Sequence, residues 1–214
     1  MNHQQPVSVL LQAAIAAGAL LATACSTSAP TPTPTATAPL DGPMDIPLVS
    51  QHHEAVRLRD QIRGKVVLIH FMFTTCDGVC PLTTKNLVKV QEQLGDHFGR
   101  DVFIESISLD PEVDTPEVLG RYAENLGAKP GWTFFTGRRA DIDRLRHQLG
   151  LYDRDPVIDA DKTKHAGIVV VGNEAAGAWA AMSGLARPEL IVESILRLLR
   201  TTGGPETRRA VWKP

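Results

Sequence analysis

The chain has 214 residues, of which 43% are hydrophobic, enough apolar material for one core of ordinary domain size with segments to spare. Its 22 basic and 24 acidic side chains leave a net charge of −2. No basic run with interleaved aromatics tracks nucleic-acid phosphates, which argues against a nucleic-acid partner. Three cysteines are an odd count, so pairing within the chain cannot account for all of them.

The first forty residues contain no Asp, Glu, Lys or Arg, and VSVLLQAAIAAGALLATAC (residues 7 to 25) is apolar apart from Ser8, Gln12 and Thr23. Residues 1–24 therefore read as an export segment, although only the amino terminus and His3 stand where such a segment usually carries Lys or Arg. LLATAC resembles the lipobox of bacterial lipoproteins, which makes Cys25 the lipid attachment site. Ala22 and Ala24 also fit ordinary A-x-A cleavage, and the apolar length is near the ~20 residues that span a bilayer, as an uncleaved anchor would. Each reading exports the domain, and the lipobox reading tethers it to the periplasmic side of a bacterial membrane. Residues 26 to 43, STSAPTPTPTATAPLDGP, alternate proline with small polar residues and cannot build a core. In an extended polyproline conformation residues 25–43 form a tether reaching roughly 50 Å.

The folded domain is expected over residues 44–200, followed by a tail over 201–214. A hairpin turn is expected at VSQHHEAV, which contains His52 and His53. KVVLIHFMF (65 to 73) is nearly continuous in apolar residues, as in a strand buried on both faces. From Pro81 to Leu94, Leu87, Val90 and Leu94 keep helical spacing, with proline at the first position and Gly95 past the end. VFIESISL (102 to 109) is a second long strand. Thr115 and Pro116 form an N-cap and first-turn pair for a helix through Leu119, Tyr122 and Leu126 to Gly127. The strand WTFFTG follows, then a short helix marked by Ile142, Leu145 and Leu149. A hairpin from AGIVVVG to AWAAM and a last helix from Pro188 complete the domain. Alternating strands and helices of this kind predict an α/β fold with a mixed sheet covered by helices.

Cys76 and Cys80 lie between the buried strand and the first long helix, and Cys80 is expected to cap that helix. Unpaired N–H groups and the positive end of the dipole favour thiolate there, which lowers a cysteine pKa. A structural disulfide, a redox pair and half of a metal site all remain open. A bridge closing only five residues would constrain little of the unfolded chain. Thiolates suit Cu(I), and thiolate with imidazole also suits zinc.

Of the seven histidines, His97 and His147 come late in helical runs, His70 lies inside the apolar strand as a satisfied core residue, and His52 and His53 offer an adjacent metal pair. His165, in DADKTKHAGIVVV, precedes a buried strand whose leading loop can lie against the end of the cysteine-bearing strand.

KVVLIHFMFTTCDGVCP, SISLDPEVDTPEVL, KPGWTFFTG and DKTKHAGIVVVG, in this order and spacing, resemble the Sco/SenC family over roughly residues 45 to 200. The resemblance implies a thioredoxin-like fold, with a central mixed sheet flanked by helices and an N-terminal hairpin. It also implies copper bound by Cys76, Cys80 and His165. The function it implies is that of a metallochaperone, rather than an enzyme, for the copper-site subunit of cytochrome c oxidase. A thiol-disulfide oxidoreductase or redox sensor using Cys76 and Cys80 is the alternative. Three residues between the cysteines, where thioredoxins have two, let both sulfurs converge on a third body. His165 stands where thioredoxin-type reductases usually have a cis-proline. Members often have proline at the position of Asp77 and aspartate at that of Lys164, so a carboxylate beside the histidine is missing here. Asp110, Asp114 and Asp161 are expected in turn or capping roles.

Overall fold

The computed structural model describes residues 44–201. The export segment, Cys25, the tether and the tail from residue 202 lie outside the described residues. Seven strands follow in chain order: β1 (Pro47–Ser50), β2 (Ala55–Arg57), β3 (Val66–Met72), β4 (Val102–Ser108), β5 (Trp132–Thr136), β6 (Ile168–Asn173) and β7 (Ala178–Ser183). The helices are α1 (Leu58–Ile62), α2 (Val79–Leu94), α3 (Pro116–Leu126), α4 (Arg139–Gln148), α5 (Pro156–Asp159) and α6 (Pro188–Thr201).

Every residue of β3 is buried, and the strand occupies the interior of a sheet ordered β2-β1-β5-β4-β3-β6-β7. β4 pairs with it in parallel from Val66↔Val102 to Met72↔Ser108, and β6 pairs antiparallel on its other side. β5 continues the parallel run, while β1 joins β5 antiparallel and pairs with β2 in the expected hairpin. The parallel strands need crossovers, which α2 and α3 supply, and α2 packs against both α3 and α6. This mixed sheet with its helices is the thioredoxin-like fold, and the parallel strands β3 and β4 end together beside the cysteine loop.

Local chemistry explains the element ends. Thr115 accepts a hydrogen bond from the Val118 N–H at 3.4 Å, Pro116 opens α3, and Gly127 closes it at φ 75°. The β1–β2 turn folds over the Ser50 hydroxyl, which accepts from the N–H groups of His52 and Glu54, with His53 at φ 62°. Gly172 on β6 is a steric requirement, because a Cβ there would meet Trp179 on β7 at 2.0 Å. Hydrophobic periodicity left α1, α5 and two 3-10 turns (Gly95–His97 and Lys162–Lys164) without a signal. Each is too short to present a repeating apolar stripe.

Two ionisable side chains are buried in the sheet. His70 is a core residue as expected but not a fully satisfied one: its Nδ1 lies 3.4 Å from the Ser106 hydroxyl, Nε2 has no hydrogen-bond partner among the described residues, and burial lowers its pKa to about 3. Glu105 sits on β4 between Ile69 and Thr133 and is 2% exposed. Burial pushes its carboxyl up to about 8, against the pull of Lys65. The folded state thus holds a proton that the unfolded chain releases above the ordinary value of 4.5. Stability from this group is complete below that value and is lost as pH rises through about 8. Urea denaturation of Glu105→Gln should give a stability advantage over wild type that is absent at pH 4 and grows towards pH 8, at a slope of at most about 1.4 kcal/mol per pH unit.

Candidate metal and thiol site

The cysteine loop leaves the end of β3 at Phe73. Its first residue beyond, Thr74, donates to Asp114 from both its N–H (3.1 Å) and its hydroxyl (2.5 Å), and the Ser108 hydroxyl at the end of β4 donates to the same carboxylate at 2.5 Å. Asp114 is fully buried: its N–H closes the turn on the Asp110 carbonyl, and its carboxylate acts as the bolt between the two strand ends. The Cys76 N–H donates back to the Phe73 carbonyl at 3.2 Å, turning the chain towards α2.

Helix α2 starts at Val79, with Gly78 in the cap position, two residues earlier than the proline suggests. Proline lacks an N–H, and no residue of the first turn needs one, so Pro81 is tolerated at the third position and does not mark the start. Cys80 is therefore inside the first turn and not the cap. It is 1% exposed, while Cys76 is half-buried, and both are free thiols. Burial, aided by the adjacent Cys76 thiol, pushes the Cys80 thiol up to about 12. The expected lowering at a helix start is reversed at Cys80, because desolvation of the thiolate exceeds what the helix end returns. The Thr84 hydroxyl donates to the Cys80 carbonyl at 2.6 Å and accepts from the Tyr122 hydroxyl at 3.2 Å. Tyr122 faces this site although its spacing reads only as a core stripe of α3.

His165 ends the 3-10 turn Lys162–Lys164, just ahead of β6. Gly167 follows at φ 87°, and a Cβ there would meet the Val79 Cγ2 at 2.7 Å. The histidine loop is thus packed against the first residue of α2, beside the cysteines. The imidazole itself, 6% exposed, is turned into a polar cluster. Nε2 donates to the Asp159 carbonyl oxygen at 2.8 Å, and the Arg146 guanidinium approaches the ring at 3.2 and 3.5 Å. The carboxylate that Lys164 does not provide comes from Asp159, whose Oδ1 lies 3.4 Å from the histidine Nε2. Arg146 beside it holds the Asp159 carboxyl far below the ordinary carboxylate range. A cavity of about 290 Å3 opens here, lined by Arg139, Arg146, His147, Lys162 and His165 among others. Among the described residues no three His, Cys, Asp or Glu side chains already form a metal cage.

The remaining expected residues have ordinary partners. Asp161 caps the 3-10 turn through the Thr163 N–H, as expected. Asp110 heads the turn as expected, its carbonyl accepting from the Val113 and Asp114 N–H groups at 3.0 and 2.9 Å, and its carboxylate pairs with Lys162, whose ammonium also lies 4.6 Å above the Phe73 ring, and with Arg139 at 3.7 Å. His97 contacts Asp101, His147 contacts Asp159, and His53 contacts Glu117. Arg146 and Asp159 carried no motif signal; they meet because α4 and α5 fold towards each other, and their separation in sequence follows no ligand spacing.

Replacing the Asp114 anchor with alanine should leave three donors unpaired and lower stability by about 2–4 kcal/mol, read by chemical denaturation. Mass mapping after iodoacetamide treatment at pH 8 should find Cys76 modified and Cys80 largely unmodified in the folded, reduced protein.

Comparison with known proteins places these features in a family. The SCO1/SenC family model matches residues 36–200. The SCO2-like protein RP587 of Rickettsia prowazekii is 35% identical over 114 residues, covering 53% of this chain and 52% of its own. The chain spans about half the length of the curated relatives it matches first. Yeast Sco1 with copper bound superposes with a TM-score of 0.62 at 20% identity, over 81% of this chain and 99% of that one. BsSco, described as a Sco family member of the cytochrome c oxidase assembly proteins in which a disulfide switch was identified, gives a TM-score of 0.55 at 23% identity over 73% and 95% of the two chains. With the family model spanning the sheet, the cysteine loop and the histidine loop together, the chain belongs to the SCO1/SenC family.

Proposed function

We propose that the protein is an exported, membrane-tethered metallochaperone that takes copper through Cys76, Cys80 and His165 and delivers it to the dinuclear copper site of a cytochrome c oxidase subunit. The observation that carries this reading is the packing of the histidine loop on the start of α2, with Gly167 against Val79 beside two free thiols. Two soft sulfur donors suit Cu(I), and one imidazole completes a site that is still short of ligands. Such a site can give up its cargo by ligand exchange with a partner that offers more donors. Half-exposed Cys76 is the point where exchange would begin, and buried Cys80 would release copper last. The copper carried by yeast Sco1 and the oxidase-assembly description of BsSco support the cargo and the destination. The N-terminal lipobox and tether, read from sequence, support export with Cys25 as the lipid attachment site.

A second reading has its own observation. An accessible Cys76 in front of a buried Cys80 is also the arrangement of an attacking and a resolving thiol, as a thiol-disulfide oxidoreductase or redox sensor requires. Titrating the reduced protein with Cu(I) against a chelator of moderate affinity separates the two. The chaperone reading expects wild type to compete, Cys76→Ala and Cys80→Ala to lose competition, and His165→Ala to weaken it at least about tenfold. Failure of wild type to take copper overturns the chaperone reading. Wild-type affinity in His165→Ala removes the histidine from the ligand set. Reduction of a model disulfide that needs Cys76 and ignores His165 would favour the oxidoreductase.

A further inference from the structure

We infer that Arg146 and Asp159 are positioning residues that park the His165 imidazole away from the cysteines, so that copper loading requires its release. The inference rests on the ligand set proposed above. A carbonyl oxygen can only accept, so the 2.8 Å contact to Asp159 places a proton on Nε2. The Arg146 Nη1 lies 3.2 Å from Nε2 and 3.5 Å from Nδ1, over the ring rather than along a nitrogen lone pair, while it donates to the Leu151 carbonyl and to Asp159. A neutral imidazole binds metal through its unprotonated nitrogen. Parked in this way, the ring has Nε2 taken by the Asp159 carbonyl and, among the described residues, is not gathered with the two thiols into a metal cage.

The parking station is built firmly on one side and lightly on the other. Arg146, 3% exposed on α4, donates to the Leu151 carbonyl at 2.7 Å and grips Asp159 through two bonds, Nη1 to Oδ1 at 2.5 Å and Nη2 to Oδ2 at 2.9 Å. Asp159 also accepts from the Asp153 N–H at 2.8 Å and lies 3.0 Å from the His147 Nε2. Its own helix, α5, has no buried residue, and Val157 is 80% exposed. The segment from α5 to His165 is therefore held by two polar clamps, Asp159 on Arg146 and Lys162 on Asp110, rather than by core packing. Elements with few buried apolar contacts are those that open locally at small cost. Opening the first clamp frees the ring and the segment that carries it in one step, while Gly167 keeps the loop pinned beside Val79.

The test is Cu(I) competition on the full-length reduced protein as wild type, Arg146→Gln, Asp159→Asn, His165→Ala and the double variant Arg146→Gln/His165→Ala. Loss of one hydrogen bond to a charged group corresponds to an approximately tenfold change, so Arg146→Gln and Asp159→Asn should each bind Cu(I) about tenfold more tightly. That gain should disappear in the double variant, which a general structural effect of Arg146→Gln would not do. Unchanged or weaker binding in Arg146→Gln, with His165→Ala still weakened, overturns the parking role and leaves the ligand set standing. Wild-type affinity in His165→Ala overturns the ligand set and the parking role together. Should the variants fail to fold, NMR of wild type decides. On adding one equivalent of diamagnetic Cu(I), the ring signals of His165 and the guanidinium signals of Arg146 should shift together. Movement of His165 with Arg146 unmoved would overturn the inference.

Discussion

Everything at the thiol site depends on β3 being buried on both faces. Its apolar side chains, Val66, Val67, Leu68, Ile69, Phe71 and Met72, are at most 2% exposed. At about 1.5–3 kcal/mol per buried side chain they contribute roughly 10 kcal/mol or more of gross stabilisation, against the entropy of ordering the chain. Such a strand has one place to go, the interior of the sheet, with β4 on one side and β6 on the other. Its C-terminal end then delivers the cysteine loop to a defined point. Because β4 runs parallel, its end arrives at the same edge and brings Ser108, Asp110 and Asp114 with it. Because β6 runs antiparallel, its beginning arrives there too and brings His165.

At this edge, core packing gives way to charge. Asp114 ties the strand ends together through three donors, Lys162 reaches from the histidine turn to Asp110 and the Phe73 ring, and Arg146 holds Asp159. Each is a charge-assisted contact at the margin of the core, stronger than a neutral hydrogen bond. The two sides of the site differ in kind. The cysteines are carried by a strand end and a long helix with seven buried residues, whereas the histidine follows a short helix with none. A ligand set split in this way has a fixed half that presents thiols and an adjustable half that admits or withholds imidazole.

The residues most visible in the sequence were those whose signal is local. Unbroken apolarity marks β3, the Thr115–Pro116 pair and Gly127 bracket α3, and the Asn173 to Gly177 stretch turns β6 into β7. The cysteine pair and His165 stood out through their place before and after such elements, and the family's motif order joined them. Less visible were features set by the surroundings. Cys80 sits where a helix start should acidify a thiol, yet its burial reverses the direction. Glu105 interrupts an otherwise apolar strand, and nothing in the alternation shows that it is packed between Ile69 and Thr133.

The sequence by itself determined the order of the long strands and helices, the sheet's mixed character and the N-terminal hairpin, because each rests on periodicity or turn chemistry, and its family resemblance supplied the candidate ligands Cys76, Cys80 and His165. Only the tertiary structure decided that α2 begins at Val79, that Asp114 bolts the cysteine loop, and that His165 is held by Arg146 and Asp159. Those facts depend on which side chains meet across strands and helices far apart in the chain, and on how much water is removed when they do. Desolvation and long-range pairing have no period along a sequence; they exist once β3, β4 and β6 have brought their ends to one edge.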